Sequence, residues 1–175
     1  MFRKLIFGIV LLLNGCITTT EKEIPPEECN AEITTYYLIR HAEKDRTDPT
    51  NEDPQLTEAS LKRAQYWSQF FETTALDAIY STKYKRTRQT AAIVAREKNL
   101  EVLMYDADAL YASDFQSETK GKTVLVVGHS NTTPKFVNTI IGETKYPDID
   151  DRNNGSLYIV TVCGKATTVQ VLQSY

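Results

Sequence analysis

The chain has 175 residues, room for one domain with a proper core and not comfortably two. Charged residues make up 25% and apolar residues 41%, ordinary for a soluble globular protein, and the formal net charge is -3. With no basic surplus, nucleic-acid binding is not expected.

The first segment in chain order has to be set apart from the fold. Arg3 and Lys4 precede an almost purely apolar run from Leu5 to Leu13, and Asn14-Gly15-Cys16 follows. The apolar run is too short to span a bilayer, which disfavours an uncleaved anchor and suits a secretory signal. A small residue followed at once by a cysteine resembles a bacterial lipoprotein signal, with Asn14 the imperfect position. Residues 1–15 are therefore expected to be removed and Cys16 to carry the lipid, anchoring the protein to a membrane of the cell envelope, facing the periplasm or exterior. Ile17 offers no acidic retention signal, so delivery to the outer membrane is expected. The polar, proline-containing stretch TTTEKEIPPEE cannot bury enough apolar surface to order itself, so residues 16–32 read as a tether and residues 33–175 as the domain.

Within the domain, Ile33 to Ile39 is β-branched and aromatic and reads as a buried strand. Asp48-Pro49 and Asp53-Pro54 mark a loop, after which Thr57 is expected to cap a helix running to about Phe71. Ala78 to Tyr80 is a short strand, Arg86 to about Lys98 a helix, and Glu101 to Met104 another short strand. Thr123 to Val127 is the most clearly buried strand, and Pro134 suits the first turn of a helix that continues to Ile141. Leu157 to Val162 and Thr167 to Leu172 flank Gly164-Lys165 as a hairpin. This alternation predicts an α/β three-layer sandwich with a mostly parallel central sheet flanked by helices, whose ligands bind beyond the carboxyl ends of the strands.

Both histidines of the chain fall at that edge. His41 follows the first strand in Arg40-His41-Ala42-Glu43-Lys44, and His129 follows the most buried strand in Val127-Gly128-His129-Ser130-Asn131. Arg40 and Arg86 occupy equivalent strand-end positions, and two guanidinium forks aimed at one point suit a dianionic phosphoryl group. Lys83 and Lys85 read as a solvated basic face. Residues 148–155 have the acidic look of a calcium loop, but the ligand register fails and no glutamate closes it, so they read as a surface loop. Cys163 has no histidine or cysteine at ligand spacing, which argues against zinc. With Cys16 assigned to lipid, Cys29 and Cys163 remain, either bridged or as two free thiols.

The Arg40-His41 pair, the Ser81-to-Ala91 stretch Ser-x-x-x-x-Arg-Thr-x-Gln-Thr-Ala, Gly128-His129-Ser130 and Leu56-Thr57-Glu58 occur in the order and rough spacing of one family. The chain resembles the histidine phosphatase superfamily, the phosphoglycerate mutase-like proteins, over about Tyr36 to Ile141. The resemblance implies that His41 is a nucleophile forming a phosphohistidine, with Arg40, Arg86 and His129 lining the phosphate pocket and no metal or cofactor required. Backbone amides near Asn131 and Thr132 are further possible donors. Ala42 replaces the family's usual glycine. The glutamate many relatives carry after the third strand is missing, so the proton donor is expected to be Glu43, with Asp106 and Asp108 behind it. The activity implied is phosphate-ester hydrolysis; a non-catalytic phospholigand-binding lipoprotein and a phosphomutase are the alternatives. Short inserts around the site imply an open pocket, suited to a large or surface-bound phosphorylated substrate, whose identity the motifs leave open, as they do the oligomeric state.

Overall fold

Side chains of β1 (Ile33–Arg40) alternate between two apolar cores, and that alternation defines the layers. The computed structural model describes Cys29 and residues 31–174; the expected signal segment, the lipid site Cys16 and the tether through residue 28 lie outside the described residues. Chain order continues through α1 (Leu61–Phe70), β2 (Ala78–Ser81), α2 (Lys85–Lys98), β3 (Val102–Met104), α3 (Ser113–Thr119), β4 (Thr123–Gly128), α4 (Thr132–Ile141), β5 (Ser156–Cys163) and β6 (Ala166–Gln173). The six strands form one sheet in the order β3-β2-β4-β1-β5-β6. β3, β2, β4 and β1 run parallel, and β5 joins β1 antiparallel before turning into β6.

On one face Ile39, Ile79, Leu125 and Val127 pack with Trp67 of α1 and with Ala91, Val94 and Ala95 of α2. On the other, Tyr36, Leu38, Val124 and Val126 pack with Phe136, Val137 and Ile140 of α4, and Phe115 of α3 leans on the same cluster. The predicted three-layer sandwich is the observed one. Among the described residues no helix is long and apolar enough to cross a membrane.

At three places the structure adds to the local reading of the sequence. The regular helix begins only at Leu61, with Ser60 at its N-cap position but without a side-chain capping bond; Thr57 Oγ1 accepts the Ser60 amide at 3.1 Å and so caps the turn over residues 57–60 that leads into the helix. The Ser60 hydroxyl donates toward the carbonyls of Thr57 and Glu43, at 2.7 Å each, and pins that turn to the chain after β1. Helix α3 was not anticipated: SDFQSET buries only Thr119 and has no apolar period. Cys29 and Cys163, left open by the sequence, are paired as a disulfide with Cα atoms 6.2 Å apart, because the antiparallel register sets Ile33 against Cys163.

Candidate active site

The carboxyl ends of β1 and β4 lie side by side, with Arg40 paired to Gly128 and the His41 amide donating to the Gly128 carbonyl at 3.0 Å. The parallel register brings the two histidines together, their ring centroids 5.5 Å apart. The strand end packs tightly against the start of α4: a Cβ at Gly128 would lie 2.7 Å from Thr133 Oγ1. Both imidazoles line a cavity of about 710 Å³ together with Arg40, Lys44, Arg86, Tyr105 and Asp106.

His41 is 3% exposed, and its Nδ1 lies 2.6 Å from the Ala42 carbonyl oxygen. A carbonyl only accepts, so Nδ1 carries the proton and the lone pair sits on Nε2. Burial pushes the imidazole down to about 3, opposed by the Ala42 hydrogen bond and assisted by His129, Arg40 and Arg86. His129 is pushed down to about 4 by burial and by Arg86, Arg40 and Lys44. Both rings are thus neutral at neutral pH. Ala42, in place of glycine, fits without strain: it is fully buried, its amide donates to Thr90 Oγ1 at 3.0 Å, and its φ is not positive.

Arg40 does not present a free fork, which corrects the sequence reading. Its Nη1 donates to the carbonyls of Asp150 and Asn153, both at 2.9 Å, and its Nη2 to Asp151 Oδ1 at 2.8 Å. Of the five guanidinium protons, three are thereby used, leaving Nε–H and one on Nη2. The Nε atoms of Arg40 and Arg86 are both buried without a protein partner. Two orphaned cationic donors at one cavity are what an anion would satisfy. Arg86 stacks on Tyr84, its Cζ 4.4 Å from the ring centroid, and lies 3.7 Å from Asp53. Burial lowers its pKa, which favours binding a counter-charge from the cavity. Lys44 is lowered too, by burial and then by Arg86 and Arg46.

Glu43 is not brought to this cavity. Its Oε1 pairs with Arg63 Nε at 2.7 Å, and it lines a separate hollow with Thr57, Ser60 and Tyr66. The Lys44–Leu56 antiparallel bridge turns the chain so that the Glu43 carboxyl faces α1. Asp106 and Asp108 do line the cavity; Asp106 Oδ1 accepts the Asp108 amide at 2.9 Å. The Thr132 amide, expected as a donor, is already given to Asn131 Oδ1 at 2.9 Å.

Residues 148–155 are more than a surface loop. Besides holding Arg40, they supply Asn154, 4% exposed, whose Nδ2 donates to the His41 carbonyl at 2.7 Å. Asp151 bridges Arg40 to Arg46, the latter at 2.7 Å. Sequence reasoning also missed Thr82, 2.9 Å from His129 Nε2, although it follows β2 at the same sheet edge that drew attention to the histidines. Asn154 left no such signal, since its partner is a backbone carbonyl distant in sequence.

Residues 36–107 match the model of the histidine phosphatase superfamily (branch 1). Over 74 residues the chain is 40% identical to phosphoserine phosphatase 1 of Hydrogenobacter thermophilus, a match that covers 39% of this chain. It spans only 35% of that curated relative. Among solved structures, the phosphoserine phosphatase of Entamoeba histolytica, in complex with phosphoserine, superposes with a TM-score of 0.63 at 16% identity over 81% of this chain and 97% of that one. A mycobacterial glucosyl-3-phosphoglycerate phosphatase gives 0.63 at 11% identity over 82% and 100% of the two chains. The phosphoglycerate mutase of Bacillus anthracis gives 0.62 at 14% over 81% and 93%. At these identities the likeness is one of fold.

Proposed function

We propose that this chain, a member of the histidine phosphatase superfamily, is a phosphatase that hydrolyses phosphate monoesters through a phosphohistidine at Nε2 of His41. The observation that carries the reading is the His41 Nδ1 contact with the Ala42 carbonyl, which leaves a neutral, unprotonated Nε2 beside the orphaned donors of Arg40 and Arg86. Nε2 attacks phosphorus, the ester P–O bond breaks, and the leaving oxygen takes a proton from Asp106 or Asp108. Water then attacks phosphorus, the P–N bond breaks, and the same carboxylate accepts the water proton. Arg40 and Arg86 donate to the oxygens on which charge gathers, and His129 joins them once the bound dianion has protonated its ring.

The same proposal includes a lipid anchor at Cys16, a tether that ends where Cys29 is bridged to Cys163, and a location outside the cytoplasm, a setting that suits this pair because disulfides persist in oxidising compartments. The natural substrate belongs to the class of phosphate monoesters whose leaving alcohol fits an open cavity lined by Lys44, Lys83, Asp106 and Asp108. His41→Ala should abolish phosphate release from an aryl phosphate while the far-ultraviolet circular dichroism is unchanged. Turnover retained in that variant would refute the mechanism, and a Cys16→Ser protein that stays in the membrane fraction would refute the anchor.

A further inference from the structure

His129 can meet a bound group through only one ring nitrogen, because the other faces Thr82. We propose that Thr82 is a positioning residue that holds His129 by its Nε2–H, so that Nδ1, a lone pair in the free protein, takes up a proton when a phosphoryl dianion binds and donates it to a phosphoryl oxygen. The role in turnover rests on the phosphatase reading; the ring assignment does not.

Thr82 and Thr87 are 2% and 0% exposed, so neither hydroxyl has water to fall back on. Thr87 Oγ1 lies 2.9 Å from the Tyr84 carbonyl oxygen and 3.2 Å from that of Thr82. Carbonyls only accept, and a hydroxyl oxygen this near two of them is repelled unless its one proton points at them. The Thr87 proton is thereby committed. Thr82 Oγ1 is 2.8 Å from Thr87 Oγ1, so that contact is made by the Thr82 proton. Thr82 then has only lone pairs left for His129 Nε2, 2.9 Å away, and Nε2 must be the donor. His41, fixed by the Ala42 carbonyl, holds the opposite form with its proton on Nδ1. The two neighbouring rings thus differ in which nitrogen is free: Nε2 on the attacking residue, Nδ1 on its partner.

The chain contains two histidines, so long-range proton–nitrogen correlation spectra of the full chain in detergent resolve the matter without crowding. In phosphate-free buffer near neutral pH, the expected result is one ring in the Nδ1–H form and one in the Nε2–H form, assigned to His41 and His129 by His41→Gln. Adding inorganic phosphate should shift the Nδ1 resonance of His129 more than its Nε2. Thr82→Val, which keeps the shape and removes the acceptor, should move His129 toward a mixture of forms and lower kcat/KM by about 10-fold. Thr82→Ser should restore the Nε2–H form and bring kcat/KM back to within about 2-fold of the wild type. A wild-type His129 in the Nδ1–H form overturns the proposal, and that spectrum decides even if Thr82→Val does not fold. An unchanged ring form in folded Thr82→Val overturns it equally. A wild type without turnover would count against the phosphatase reading, while the spectra alone decide the ring assignment.

Discussion

Moving the protein from about pH 7.5 to about pH 5 should destabilise it in part through a single buried ring. His41 is 3% exposed and its folded-state pKa is pushed down from 6.5 to about 3. The unfolded chain therefore binds the extra proton first as the pH falls. Stability from this group is complete above about 6.5 and drains away down to about 3. Each unit of pH in that window is worth about 1.4 kcal/mol, so the fall from 6.5 to about 5 costs about 2 kcal/mol. Urea denaturation at the two pH values measures it. His41→Gln keeps a polar side chain that does not titrate, so it should lose about 2 kcal/mol less than the wild type over the same interval. His129 shifts in the same direction in both proteins and largely cancels from the difference. Equal losses in the two proteins would refute the argument that burial keeps His41 neutral.

Asp106→Asn combined with Asp108→Asn should slow hydrolysis of an alkyl phosphate by about 10²–10⁴-fold and of an aryl phosphate far less, whereas Glu43→Gln should leave both within about 2-fold, as steady-state kinetics on the two esters would report. Asn154→Ala leaves the buried His41 carbonyl without its donor and should cost about 1–3 kcal/mol in denaturant titrations, with a fall in kcat as the loop over Arg40 loosens. Opening the Cys29–Cys163 pair, 134 residues apart in sequence, should cost about 2–4 kcal/mol, read as a lower urea midpoint under dithiothreitol.

The strand ends were legible because buried β-branched runs mark where each strand stops, and a parallel sheet gathers those stops at one edge. His41, His129 and Arg86 could therefore be located from Ile33–Ile39, Thr123–Val127 and the segment after Tyr80. Side-chain direction was not legible. Glu43 is two residues from His41 in sequence, yet a single antiparallel bridge at Lys44 turns its carboxyl toward Arg63. Nor were backbone partners: the carbonyls of Asp150 and Asn153 occupy Arg40, and no pattern of residue types announces a carbonyl. The half-polar helix α3 escaped because its burial comes from Phe115 and Thr119 alone, too few positions to set a period.

The central claim is a covalent one, and trapping the intermediate tests it most directly. Rapid quenching in alkali during turnover, followed by peptide mass spectrometry and nitrogen-resolved phosphohistidine analysis, should find the phosphoryl group on Nε2 of His41. A phosphoryl group on Nδ1, on His129 or on another residue, or fast turnover with no labelled protein at any quench time, would contradict the account.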